Sequence, residues 1–244
     1  GLSVAEAVNA VVERYDPRAV GLTAFTTKMT AAGAILRGVK AARPDVVTLV
    51  GGHHPSALPT RTLTEEAANC VIKGEGFHPV VALMQRVKRG EAQFDGIRGV
   101  WWRDQTGAIH DGGQAPGFAD LEELPMPAWD LLPMERYRAH HWQTWGRGLD
   151  TRRFAVVCTS LGCPFDCDYC SVNVVYERHK VRYRRPVRVV DESERLVRYY
   201  GVENFEIIDD TFTVNHKHVE ALCDEIVLRG LGDKINAWCF SRVD

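Results

Sequence analysis

Three short, unbroken apolar runs dominate the first part of the chain: AVGLTAF (19–25), DVVTLVGG (45–52) and CVIKGEG (70–76). Runs of this length, apolar at nearly every position, read as strands covered on both faces. Between them the spacing turns helical. Val4, Ala7, Val8, Val11, Val12 and Tyr15 follow a capping box formed by Ser3 and Glu6, and Met29, Ala32, Ile35, Leu36 and Val39 make a second stripe ending before Pro44. A weaker helix is expected around Leu63 to Ala68, and Pro79 opens another through Val80, Leu83, Met84 and Val87 that stops at Gly90. Strands alternating with helices in this way demand a parallel α/β sheet.

The pattern breaks and then restarts. GVWWRDQTGAIH (99–110) has the form of a β-hairpin turning at Asp104 to Gly107, and residues 115–150, rich in Pro, Gly and Trp at the start, hold no period and read as a linker. In that linker Trp129 reads as a packing anchor in preference to a substrate platform. From 151 onward, FAVVCTS (154–160), NFEIID (204–209) and INAWCF (235–240) are strands. A helix capped by Asp191 and closed by Gly201 lies between the first two, and one capped by Asn215 and ending at Gly230 lies between the last two. Repeated β/α units of this kind belong to barrels, whose chemistry sits at the carboxyl ends of the strands.

Composition excludes several classes. With 30 basic and 32 acidic residues the formal net charge is −2, which argues against a nucleic-acid partner gripped through phosphates. No apolar run approaches bilayer length and no signal peptide is visible. Seven cysteines in 244 residues are too sparse for a disulfide scaffold, so a reducing, cytoplasmic setting is expected. The opening on Gly1 and the close at SRVD read as the ends of a piece of a longer protein.

Open parallel sheets bind ligands outside the carboxyl ends of their strands. In the first half those ends are TAFTTKM, GGHHPSALP and GEGFHP, which place Thr23, Phe25, Gly51, Gly52, His53, Gly74, Glu75 and Gly76 on one edge. Small residues there would let a ligand approach the backbone, although tight βα turns have the same composition.

The densest chemistry is TSLGCPFDCDYCS (159–171), where Cys163, Cys167 and Cys170 stand in a C-x3-C-x2-C spacing directly after a strand. Three thiolates on a cubane of four irons leave one iron open. A zinc site completed by a distant ligand such as His179 is the alternative, but structural zinc sites come as two paired arms, and a second arm is missing from the sequence. Cys70, Cys158, Cys223 and Cys239 read as core residues, and the histidines outside these motifs as surface.

The cysteine loop, with aromatic Tyr169 before the last cysteine, resembles that of the radical S-adenosylmethionine superfamily, in which Arg is common where Leu161 stands here. VGLTAF, VVTLVGGHHPSALP and VIKGEGFHP resemble the cobalamin-binding domain of its cobalamin-dependent branch, LPMPAWDLLPMERY the interdomain linker, and FEIIDDTFTVNHKHVEALCDEI the second β/α unit of the radical domain. Nearly the whole chain is covered. The resemblance implies a Rossmann-like cobalamin-binding domain lacking its first strand over 1–114, a linker over 115–150, and the first three β/α units of a partial (β/α)6 barrel over 151–244.

The same resemblance implies cofactors and roles. Cys163, Cys167 and Cys170 would hold a 4Fe-4S cluster whose open iron is chelated by S-adenosylmethionine, with Tyr169 beside it. Asp209 and Asp210 would lie beside the methionine moiety, where a carboxylate suits its ammonium, while a helix cap or solvated turn is the plain reading. Ser241 and Arg242 could reach its carboxylate, or form a surface contact. Thr23, Phe25, Gly51, Gly52, His53, Gly74, Glu75 and Gly76 would line the cobalamin site. The cobalt-ligand motif D-x-H-x-x-G of other cobalamin proteins belongs after a strand that would precede Gly1, so neither His53 nor His54 is taken as a cobalt ligand.

The implied function is reductive cleavage of S-adenosylmethionine to a 5′-deoxyadenosyl radical, with methylation of an unactivated carbon as the leading outcome. Cyclisation, ring contraction or oxidation are alternatives within the branch. A cobalamin-binding sensor and a zinc-stabilised interaction module are alternatives outside it. Expected partners are a small-molecule, lipid, tetrapyrrole or natural-product substrate and an electron donor such as flavodoxin or ferredoxin. The isolated piece is expected to be inactive.

Overall fold

The computed structural model describes residues 3–118, 120–144, 152–176 and 179–243. The chain divides into two compact units, Gly1–Gly117 with Cys167–Glu177, and Phe118–Asp166 with Arg178–Asp244.

The first unit is built from α1 (Val4–Tyr15), β1 (Ala19–Thr23), α2 (Met29–Ala42), β2 (Val47–Gly51), α3 (His53–Ala57), α4 (Pro59–Glu65), β3 (Cys70–Ile72), α5 (Phe77–Lys88), β4 (Val100–Arg103) and β5 (Ile109–His110). Its five strands lie in chain order, the first three parallel and the last two antiparallel. Successive side chains of a strand point to opposite faces, and here both faces are covered. Leu49, Cys70 and Ile72 pack with Leu83 and Val87 on one side, whereas Val50 and Val71 pack with Leu36 and Leu63 on the other. Each such fully buried aliphatic side chain stabilises the unit by roughly 1.5–3 kcal/mol.

Local signals decide the boundaries. The Ser3 and Glu6 capping box forms as expected, and the hairpin turns where Asp104 accepts from Thr106 and Gly107 takes a positive φ of 90°. One helix appears that the spacing does not predict, and two others begin earlier than it predicts. His53 and His54 open a one-turn helix instead of lying in a loop, and Pro59 at the first position of α4 starts that helix ahead of Leu63. Similarly α5 begins at Phe77, with Pro79 in its first turn, where the missing N–H leaves no orphan donor.

The second unit contains β6 (Phe154–Val157) and β7 (Ser160–Leu161); after α6 (Val172–Val175), which groups with the first unit, come β8 (Arg182–Tyr183), α7 (Pro186–Tyr200), β9 (Asn204–Ile207), α8 (His216–Leu228) and β10 (Asn236–Cys239). β6, β9 and β10 form a parallel sheet in the order β10-β9-β6, and β7 pairs antiparallel with β8. Ala155, Val157, Phe205 and Leu196 are buried together with Met134. Trp129 packs on that cluster and donates its indole N–H to Glu192 at 3.0 Å, as an anchor should. The third β/α repeat contributes its strand but no helix among the described residues. The expected linker end and the start of the second domain, at 150 and 151, lie outside the described residues.

Asp191 is not the cap of α7. The helix starts five residues earlier at Pro186, and Asp191 instead pairs with Arg229 at 2.6 Å. Asn215 does cap α8, accepting from the His218 N–H, and Gly201 closes α7 in the left-handed conformation.

Candidate functional site

In the first unit the carboxyl ends of β1, β2 and β3 open into a cleft of about 600 Å³. Thr23 and Phe25 line it from the first strand, Gly51, Gly52 and His53 from the second, and Gly74, Glu75 and Gly76 from the third. All eight residues expected on this edge therefore meet in one place. Phe25 stacks on His53 with ring centroids 4.7 Å apart and remains 58% exposed, so an aromatic pair stands at the rim. Burial holds His53 below the ordinary imidazole range, which keeps it neutral.

The glycines divide by physical cause. Gly52 has φ 103° and a Cβ there would come within 2.9 Å of the Ala24 carbonyl; Gly74 has φ 93° and would drive a Cβ into the Gln114 amide. Both are required by the backbone itself. Gly51 and Gly76 have ordinary room, with the nearest atoms to a Cβ at 3.6 and 3.5 Å, so their smallness serves the cleft. A floor without side chains, flanked by apolar walls from Leu49, Ile72 and Val80, fits a large, mostly apolar ligand such as a corrinoid.

Residues that sequence reasoning passed over complete this edge. Ser56, buried in α3, accepts from the Gly74 N–H at 3.0 Å and so fixes the turn after β3. Val175 and Tyr176, just beyond the cysteine loop, also line the cleft. Only the small-polar character of Ser56 within HHPSALP hinted at the first, and no sequence signal tied the second pair to the first three strands.

In the second unit the end of β9 grips the segment that follows β6. Asp209, 1% exposed, accepts from the Thr159 N–H at 2.6 Å, the Thr159 hydroxyl at 2.5 Å and the Ser160 hydroxyl at 2.6 Å. It is thus an internal tie, not a carboxylate facing a ligand. Its neighbour Asp210 is exposed and accepts from the Gly162 N–H; local desolvation and the adjacent Asp209 hold its carboxyl above the usual range. Thr211 is buried, with its hydroxyl 3.6 Å from the Cys163 sulfur and 2.7 Å from the Asp210 carbonyl.

His218 overturns the expectation of a surface histidine. It is buried, its Nε2 lies 3.0 Å from the Thr159 hydroxyl, and its ring tilts against Tyr183. Because Thr159 donates its proton to Asp209, its oxygen accepts from His218, giving a chain from His218 through Thr159 to Asp209. Desolvation lowers the His218 pKa, opposed by the Asp209 charge. The clue was its place three residues after the helix cap Asn215, where a side chain faces back toward the strand ends.

Ser241 and Arg242 follow β10. Ser241 contacts the Thr213 hydroxyl, and the Arg242 guanidinium lies 4.0 Å over the ring of Phe165, a residue of the cysteine loop. Both are exposed. His179 donates to the Pro164 carbonyl at 3.1 Å, which commits its Nδ1 to the loop backbone.

All seven cysteines are free thiols. Cys163 is buried beside Thr211, Cys167 is half-buried and Cys170 exposed, with the Cys170 N–H donating to the Cys167 carbonyl. Tyr169 is 92% exposed. Among the described residues no three His, Cys, Asp or Glu side chains are gathered as a metal centre. The fit to iron therefore rests on the donors, three unoxidised thiols whose loop is anchored at its first cysteine. Cys70 and Cys158 match their core reading, and burial pushes both thiols up to about 12. Cys223 does not: it lies exposed on α8.

Residues 1–84 match the model of the B12 binding domain. An uncharacterized methyltransferase of Pyrococcus horikoshii is 31% identical over 222 residues, which are 91% of this chain and 46% of that protein. The chain carries a B12 binding domain and over nearly its whole length is similar to cobalamin-dependent radical S-adenosylmethionine enzymes. A second relative, the anaerobic magnesium-protoporphyrin IX monomethyl ester cyclase of Rubrivivax gelatinosus, is 28% identical over 91% of this chain and 38% of its own length. The fold is similar to that of the radical S-adenosylmethionine methyltransferase TsrM of Kitasatospora setae, solved with cobalamin and a 4Fe-4S cluster bound. It superposes with a TM-score of 0.71 at 19% identity, over 97% of this chain and 46% of TsrM. The chain spans less than half the length of each of these proteins.

Proposed function

We propose that this chain supplies the cobalamin-holding and cluster-holding parts of a C-methyltransferase acting on an unactivated carbon. One observation carries the reading: a C-x3-C-x2-C loop follows β6, with its leading arm fixed by Asp209, in a chain that begins with a B12 binding domain. When bound, these groups supply reductive cleavage of a sulfonium and carriage of a methyl group.

The residues divide the work. Cys163, Cys167 and Cys170 hold the cluster through their thiolates. Asp210, exposed after β9, receives the ammonium of S-adenosylmethionine, and Ser241 and Arg242 its carboxylate; Tyr169 stands beside the cluster. Thr23, Phe25, Gly51, Gly52, His53, Gly74, Glu75 and Gly76 seat cobalamin in their cleft. Asp209 acts behind this front, by positioning Thr159 and Ser160. A small-molecule substrate, an electron donor such as flavodoxin or ferredoxin and a cytoplasmic setting complete the proposal. No helix among the described residues is long and apolar enough to cross a membrane.

A second reading, oxidative ring closure, is favoured by the Rubrivivax relative, whose name gives it a tetrapyrrole ester as substrate. Anaerobic purification of the full-length parent, metal assays and detection of 5′-deoxyadenosine test both. Iron, cobalt and the nucleoside are expected. Stoichiometric zinc would overturn the cluster, and bound corrinoid without nucleoside release would mark a sensor.

A further inference from the structure

Three consecutive residues after β9 hold successive positions of the cysteine loop. Asp209 binds Thr159 and Ser160, Asp210 binds the Gly162 N–H, and Thr211 meets Cys163. The last contact differs from the others because it reaches a thiol. In this structure the Thr211 hydroxyl lies within donating distance of the Asp210 carbonyl, so the Cys163 S–H is the donor to the Thr211 oxygen. A hydroxyl proton rotates freely about its C–O bond.

We infer that Thr211 is a positioning and tuning residue for the cluster: with the Cys163 sulfur committed to iron as a thiolate, the Thr211 hydroxyl turns and donates to it. The inference rests on the cluster reading above. The geometry supports this reversal without backbone movement, since one oxygen already sits at sulfur contact distance and its present acceptor, a backbone carbonyl, is only 2.7 Å away. Thr211 and Cys163 are both buried, so water does not substitute for the lost donor. Hydrogen bonds to cluster-ligating sulfurs stabilise the more negative, reduced state and raise its potential.

The test compares Thr211→Val and Thr211→Ser in the 244-residue chain after anaerobic loading with iron and sulfide. The readout is the cluster midpoint potential, followed by electron paramagnetic resonance. Val keeps the volume and removes the donor, and is expected to shift the one-electron equilibrium about tenfold toward the oxidised form, ~59 mV more negative. Ser keeps the donor and is expected to match the parent chain. An unmoved potential in Val, or equal shifts in Val and Ser, would overturn the role of the hydroxyl. If Val does not accept iron, Thr211→Ala takes its place, and a shifted or an unmoved potential then decides in the same way. A parent chain that takes up no cluster would defeat the cluster reading itself, a different result from an unmoved potential.

Discussion

Thr159 donates both its backbone N–H and its hydroxyl to the carboxylate of Asp209, joining the ends of β6 and β9 at a separation of 50 residues. The first cysteine of the loop follows four residues later. The position of Cys163 therefore depends on a carboxylate that never meets solvent.

Replacing that carboxylate should be costly. Asp209→Ala strands the Thr159 N–H and the Ser160 hydroxyl inside the unit, and a loss of about 3 kcal/mol is expected. Urea unfolding read by far-ultraviolet circular dichroism measures it. A midpoint equal to that of the parent would show that the tie is dispensable.

His218 gives the second unit a pH dependence with a definite sign. Its folded pKa lies below its unfolded value, so the unfolded chain binds the extra proton. Stability is fully present above the unfolded pKa of about 6.5 and is lost progressively as pH falls below it. The urea midpoint of His218→Gln should vary less between pH 7 and 5.5 than that of the parent (both pH values about the histidine range). His53, also lowered, contributes equally to both proteins and cancels in the difference.

Two neighbouring glycines should respond oppositely to alanine. At Gly52 the positive φ and the Ala24 backbone leave no room, so Gly52→Ala lowers the melting temperature. At Gly51 a Cβ meets only Ile72 at an ordinary distance, so Gly51→Ala melts as the parent does while narrowing the cleft. Absorbance titration with cobalamin should show weaker binding for Gly51→Ala, and equal affinity would remove Gly51 from the site.

The cysteines should also separate cleanly. Cys163→Ala, Cys167→Ala and Cys170→Ala are each expected to lose reconstituted iron, whereas the exposed Cys223→Ser retains it. Iron retained in any of the first three variants would exclude that thiol as a ligand.

Much of this was legible from residue order. Continuous apolar runs announced buried parallel strands because both sheet faces are covered, and the glycine-rich strand ends did converge on one cleft. What stayed hidden was set by long-range packing. Asp209 and His218 are polar residues in a segment whose composition suits a surface, and only the approach of Thr159 turns them inward. The start of α7 was misplaced for a related reason: Asp191 has the chemistry of a cap, but Arg229, just past the end of α8, holds it in mid-helix.

The apolar walls of the first cleft also say how it should discriminate. Among its described lining residues only Glu75 and His53 are acidic or basic, and burial holds His53 toward its neutral form. A guest held there gains little from Coulomb attraction, so added salt should scarcely alter its affinity, while binding should carry a marked drop in heat capacity. Selection would then act on the outline of the visitor and not on its ionic state.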